Sequence, residues 1–195
     1  MLSQERILTV LKEAGVLLEG HFLLTSGRHS NKYLQCAKIF RHTKYSEELC
    51  GDLAEQFKDD QIDVVIGPAM GAVQMAYEVS RHLNVENFFA EREDGKMTLR
   101  RGFAVTPGMR CLLVEDVVTT GGSVREVIEL VKAAGGIVAG VGSIVDRTGG
   151  EIDFGVPYKS VISMKVESWE PDECPLCQEG KIELIKPGSR KLPTK

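Results

Sequence analysis

A chain of 195 residues, 43% hydrophobic and 27% charged, can bury one sizeable core; this excludes a disordered protein and favours one domain with small appendages. With 24 Lys+Arg against 28 Asp+Glu the net charge is −4, which argues against a dedicated nucleic-acid binder. No apolar run approaches the roughly 20 residues of a membrane span. The first 15 residues carry two acids and do not read as a secretory signal, and five scattered cysteines suit a reducing cytoplasm.

In chain order, the first predicted element is a helix over residues 3–14. Ile7, Leu8 and Leu11 form its apolar stripe and Gly15 stops it. Residues 24–33 are polar and turn-forming, which predicts a loop. A second helix spans 44–58, with Tyr45, Leu49, Leu53 and Phe57 at every fourth position. From residue 62 short apolar runs set in: a strand over 62–66, a turn over 67–71, a helix over 72–83 and a strand over 87–90. Residues 91–101 hold three acids and four bases without apolar periodicity, and read as a charged loop. A strand over 111–114 ends in Glu115 and Asp116. A loop over 119–122 follows, and then a helix that Ser123 and Glu126 would open as a capping box. Val124, Val127, Ile128 and Val131 stripe that helix, Gly135-Gly136 ends it, and a strand over 137–145 closes with Asp146-Arg147.

Strand and helix alternate at least twice between residues 62 and 146. That pattern predicts right-handed crossovers and a mainly parallel sheet flanked by helices, an α/β architecture. Ligands on such sheets bind at the carboxyl ends of the strands, which selects the loops 67–71, 91–101, 115–122 and 146–150. The chain shows no internal repeats and no low-complexity tracts. The stretch after Trp169, rich in Pro, Gly and Lys, reads as an appendage.

The run from Cys111 to Ser123, Cys-Leu-Leu-Val-Glu-Asp-Val-Val-Thr-Thr-Gly-Gly-Ser, carries the chemistry. A buried strand delivers two carboxylates to the sheet's edge, and a hydroxyl- and glycine-rich turn then enters a helix N-terminus. Free N–H groups backed by the helix dipole suit a phosphate monoester, with Thr119, Thr120 and Ser123 adding hydroxyl donors. Glu115 and Asp116 would repel that phosphate and should face sugar hydroxyls or a metal. A bland turn with a helix cap is the alternative, but the order apolar run, acid pair, Thr-Thr-Gly-Gly-Ser and helix is more specific than an isolated Gly-Gly. No G-x-x-x-x-G-K-[ST] occurs, and Gly140-Val-Gly142 lacks a third glycine, which excludes a P-loop and leaves a dinucleotide fold with little support.

Residues 114–123, Val-Glu-Asp-Val-Val-Thr-Thr-Gly-Gly-Ser, closely resemble the phosphoribosyl pyrophosphate (PRPP) motif of type I phosphoribosyltransferases. Ser26-Gly-Arg-His-Ser30 with Tyr33, and Asp146-Arg147, resemble the members of that family that use orotate. The resemblance covers about residues 5–165. It implies the type I phosphoribosyltransferase fold, with a domain over 1–168, an N-terminal cap over the base site at about 1–42, and an appendage over 169–195. It implies a pentosyltransferase that makes orotidine 5-phosphate and pyrophosphate from orotate and PRPP, a step of pyrimidine synthesis. Glu115 and Asp116 should hold the ribose hydroxyls, and Val117, Val118, Thr119, Thr120, Gly121, Gly122 and Ser123 the 5-phosphate. Residues 67–71 should approach the pyrophosphate, while Thr119 and Arg147 should contact orotate, whose carboxylate a guanidinium can meet through two hydrogen bonds.

The charged segment stands where the family has a mobile catalytic loop. Its Arg92, Lys96, Arg100 and Arg101 would stabilise the departing pyrophosphate, with Lys96 and the acid pair as the catalytic candidates. The segment has Lys96 and then Arg100-Arg101-Gly102 where the family often has Lys-x-His-Gly. Thr25 and Met70-Gly71 stand where lysines are common. The resemblance further implies magnesium (Mg2+) bridging substrate oxygens without direct protein ligation. It also implies a cytoplasmic homodimer whose lid serves the neighbour's site, with no membrane or nucleic-acid partner. The rivals are a purine or xanthine phosphoribosyltransferase, for which Arg147 would have no carboxylate to meet, and a PRPP-sensing regulator, which would need a basic patch.

Cys174-Pro-Leu-Cys177 is half a zinc site. Cys36, Cys50 and Cys111 lie in unrelated elements, and His21, His29, His42 and His82 offer no ligand pair at convincing spacing, so the missing ligands would come from a partner subunit. Residues 186–190 read as a polar terminus.

Overall fold

The computed structural model describes residues 1–24 and 26–187. Thr25 and the end of the tail, residues 188–195, lie outside the described residues. The first helix, α1 (Gln4–Glu13), begins where Ser3 Oγ accepts a hydrogen bond from the Arg6 N–H, and it buries Ile7, Val10 and Leu11. Two strands follow, β1 (Leu17–Leu23) and β2 (His29–Leu34), paired antiparallel, so the second half of the expected loop is strand. A 3₁₀ turn (Cys36–Arg41) leads to α2 (Thr43–Glu55).

The main body is β3 (Val64–Pro68), α3 (Val73–Leu83), β4 (Glu86–Glu93), β5 (Lys96–Leu99), β6 (Arg110–Val118), α4 (Gly122–Ala133), β7 (Ile137–Asp146) and β8 (Tyr158–Ser163). Its six strands run in the order β5-β4-β3-β6-β7-β8, parallel throughout except for the antiparallel edge strand β5. Period-two alternation divides the buried residues between two faces. Val65, Leu112 and Val114 face a core built with α1, α2 and α3, whereas Val64, Ile66, Cys111 and Leu113 face one built with α4. Both faces are therefore covered, as a parallel sheet requires.

Three expectations change. The charged segment 91–101 is a hairpin: β4 and β5 pair through a two-residue turn, Asp94-Gly95, both with positive φ. Met97, buried, supplies the apolar anchor that the charge pattern hides. The capping box is not formed, since α4 starts one residue earlier behind a left-handed Gly121 and no side chain caps it. The tail is not a loose appendage: a 3₁₀ turn (Pro171–Glu173), α5 (Pro175–Glu179) and β9 (Leu184–Ile185) fold back, and β9 adds parallel to β1. Among the described residues no helix is long and apolar enough to cross a membrane.

Candidate active site

A cleft of about 1120 Å³ opens at the carboxyl ends of β6 and β7, where an open parallel sheet places its ligands. Glu115 to Val124, Glu126 and Arg147 line it from the sheet and α4. Ala69 enters from the turn after β3, Arg92 and Met97 from the hairpin, and Leu24, Ser26, Tyr33, Leu34 and Gln35 from the N-terminal strands. Ser168 and Pro187 come from the tail. A smaller cleft beside Ile62, Tyr77, Arg81 and Asn87, about 610 Å³, lies at the opposite, amino ends of the strands and gathers no comparable chemistry.

β6 carries the acid pair. Asp116 is 9% exposed; burial pushes its carboxyl up, while Glu115 beside it and the Val117 N–H, 2.9 Å from Oδ1, pull it back. The turn after β3 packs against this carboxylate: a Cβ on Gly71 would stand 3.3 Å from Asp116 Oδ1. Behind the pair lies the buried Cys36 thiol, pushed well up by burial and by the nearby charges of Asp116 and Glu115.

The loop that enters α4 needs its glycine. Gly121 has φ +71°, and a Cβ there would stand 2.6 Å from Ile152 Cδ1 and Phe154 Cε1. The turn therefore lies against these side chains, and α4 begins without a side-chain cap. A helix N-terminus without a side-chain cap, beside Thr119, Thr120 and Ser123, offers free N–H groups and hydroxyls that can receive an anion.

Arg147 follows β7 on a loop fixed by its neighbour. Asp146, 1% exposed, accepts hydrogen bonds from the Thr148 N–H (2.8 Å) and hydroxyl (2.7 Å), the Gly150 N–H (2.7 Å) and the Ser163 hydroxyl (2.9 Å). Burial alone would raise the Asp146 carboxyl, but these bonds hold it below the ordinary value. The Arg147 N–H donates to the Val118 carbonyl, which ties this loop to the one that enters α4. Burial lowers the Arg147 guanidinium, and its Nε is buried with no hydrogen-bond partner among the described residues. An orphaned cationic donor lining a cleft calls for an anion.

The structure thus brings together Arg92, Glu115, Asp116, Val117, Val118, Thr119, Thr120, Gly121, Gly122, Ser123 and Arg147. Arg92 is already held, with Nη2 2.6 Å from Glu126 Oε1 and Nη1 2.9 Å from the Gly95 carbonyl. Lys96 does not line this cleft; it borders a separate hollow with Arg125, Glu126, Glu129 and Leu130. Ser168 and Pro187 escape sequence reasoning because their partners are remote. Arg28, for example, reaches across 140 positions to donate to Ser168 Oγ at 2.9 Å and its carbonyl at 2.6 Å. The histidines require a correction too: His21 and His29, eight residues apart, meet each other and both tail cysteines.

A family profile described as the phosphoribosyl transferase domain matches residues 37–173. The orotate phosphoribosyltransferase of Caldanaerobacter subterraneus subsp. tengcongensis is 58% identical over 191 residues, 98% of this chain and 100% of that protein. That of Caldicellulosiruptor bescii is 56% identical over 190 residues, 97% and 100% of the respective chains. Among solved structures, the orotate phosphoribosyltransferase from Aeropyrum pernix superposes with a TM-score of 0.68 at 28% identity, covering 80% of this chain and 93% of that one.

Proposed function

The chain belongs to the phosphoribosyl transferase family, among its orotate phosphoribosyltransferases, and on that premise we propose how its cleft moves a phosphoribosyl group from PRPP to orotate. The products are orotidine 5-phosphate and pyrophosphate, and the reaction belongs to pyrimidine synthesis. The observation that carries the base assignment is the buried, unpartnered Nε of Arg147 at the cleft wall, which suits a base bearing a carboxylate. Purines lack that group.

The 5-phosphate sits in the loop 117–123, where backbone N–H groups and hydroxyls meet it at the start of α4. Glu115 and Asp116 accept hydrogen bonds from the ribose hydroxyls. This holds the sugar at both ends, so that C1 faces orotate held by Arg147 and Thr119. As the bond to pyrophosphate breaks, the sugar gains oxocarbenium character. The carboxylates of Glu115 and Asp116 would stabilise that charge, and lid cations brought over the cleft would stabilise the leaving group. No protein nucleophile takes part. The hard carboxylate oxygens of Glu115 and Asp116 suit magnesium; these residues would hold it near the substrates, where it would supply charge neutralisation for the leaving pyrophosphate.

We further infer a cytoplasmic homodimer with the hairpin shared between subunits. Lys96 supports this: it is exposed on edge strand β5, and among the described residues it alone of the four lid bases has no acidic partner. Such a base is available to another subunit's cleft. The base assignment is tested by offering orotate, uracil, hypoxanthine and xanthine separately with PRPP and magnesium, and measuring pyrophosphate release. Orotate alone should be consumed, and only with magnesium. Turnover of a purine or uracil in its place would overturn the assignment.

A further inference from the structure

The strands that line the base side of the cleft are stapled to the tail at a point the transfer reaction does not use. Period two puts His21, on β1, and His29, on β2, on the same face of the hairpin. The register between the two strands is irregular between Glu19 and Phe22, the stretch that holds His21. The tail crosses that face. Trp169 and His29 exchange two backbone hydrogen bonds of 2.8 Å, and β9 pairs with β1 at His21 and Phe22. Between these anchors a helical turn presents Cys174 and Cys177, three residues apart and so on one side.

His21 Nε2 lies 3.2 Å from His29 Nδ1, 3.5 Å from Cys174 Sγ and 3.6 Å from Cys177 Sγ, and His29 Nδ1 lies 3.2 Å from Cys177 Sγ. All four ligand atoms fall within 4.8 Å of one another. A tetrahedral zinc ion, with bonds of about 2.0–2.1 Å to nitrogen and 2.3 Å to sulfur, sets edges of about 3.4 Å between nitrogens, 3.6 Å between nitrogen and sulfur and 3.8 Å between sulfurs. Four of the six separations, 3.2–3.6 Å, stand near those edges, and the other two lie within 4.8 Å. Hydrogen bonding alone accounts for them poorly. His21 Nδ1 is 3.1 Å from the Ile182 carbonyl, which only accepts, so Nδ1 carries the proton and the neutral ring leaves one lone pair on Nε2. One lone pair cannot serve three neighbours, but it can bind one cation, and the Nδ1–H bond is the outer contact that orients a ligating histidine.

We propose that His21, His29, Cys174 and Cys177 bind zinc. The set supplies four protein ligands, three of them buried, which makes a closed structural site and not a catalytic one. Two thiolates neutralise the ion, so its burial leaves no net charge. The function is positional: the ion clamps the tail onto the hairpin. Leu24 and Ser26 follow β1, Ser168 precedes Trp169 and Pro187 follows β9, and all four line the cleft. The clamp therefore shapes the base side of the site through segments that the loop 117–123 does not control.

The test uses the full chain, purified without chelator and assayed for metal after gel filtration. About one zinc per chain is expected, falling below about a tenth in Cys174→Ser and Cys177→Ser. Wild-type protein loaded with cobalt(II) needs no variant to fold, and should show the visible bands of a tetrahedral site with thiolate-to-metal charge transfer. Zinc removal should speed proteolysis of the tail several-fold. A protein that takes up neither zinc nor cobalt, or a cobalt spectrum without thiolate bands, would overturn the site. Tail proteolysis that ignores the metal would overturn the clamp.

Discussion

Burial lowers the Arg147 guanidinium, and its Nε has no partner among the described residues, an arrangement that costs free energy until an anion arrives. The donor geometry suits a carboxylate, and the proposed reading makes this side chain the one that selects orotate over a base without that group. Arg147→Gln keeps a polar group of lesser reach but removes the charge. Catalytic efficiency with orotate should fall by roughly 10- to 160-fold, the loss of about 1.5–3 kcal/mol from a charged hydrogen bond, while the KM for PRPP stays near its wild-type value. Steady-state kinetics with each substrate varied in turn measures both. An unchanged efficiency with orotate would return Arg147 to the ranks of solvated strand-end residues. Arg147 and the run 115–123 are legible in the sequence because each lies where a strand ends, and their neighbours in space are their neighbours in the chain. Ser168, Pro187 and the partners of Cys174 are not, since no local pattern announces contacts made across 140 or more positions.

Elements differ in how openly the sequence announces them. The helices are visible because their apolar stripes recur, and β3, β6 and β7 because they are buried on both faces and read as apolar runs. β1 interrupts its apolar residues with Gly20 and His21, and β5 has one buried residue among four, so neither shows a period. The β7–β8 corner illustrates an element held by a polar group. Asp146 ties the loop after β7 to Ser163 at the end of β8 through a carboxylate whose four hydrogen bonds keep it below the ordinary value. Those bonds favour the ionised form, so their contribution is fully present above the unfolded value of about 3.9 and is lost as pH falls through the lower folded value. Asp146→Asn turns an amide against one of the donors. It should destabilise the protein at neutral pH by about 1–3 kcal/mol and lose less stability than wild type between about pH 5 and pH 3. Denaturant titrations at the two pH values check this. Equal acid sensitivity in both proteins would show that Asp146 is not the titrating tie.

For the whole molecule, the cleft draws on segments from Leu24 to Pro187, but Lys96 stands outside it on an edge strand. The cleft of one chain gathers the residues proposed to bind both substrates, but its lid cation Arg92 is already paired with Glu126, so the proposal takes the cation for the leaving pyrophosphate from another subunit's Lys96. In the proposed two-fold dimer, the commonest closed assembly, one subunit's hairpin would lie over the other's cleft and supply it. The central claim is therefore a site built from two chains, and subunit mixing addresses it directly. Lys96→Ala and Asp116→Asn should each be nearly inactive, because each removes a charge from every site. Random exchange makes about half the dimers hybrid, and in each hybrid one cleft has both Asp116 and its neighbour's Lys96 intact. Half of the sites in half of the dimers restores about a quarter of wild-type activity if the sites act independently. Orotate consumption should return to that level when native mass spectrometry shows the hybrids formed. Hybrids that form and stay inactive would contradict the shared site and assign Lys96 to its own subunit or to no site at all.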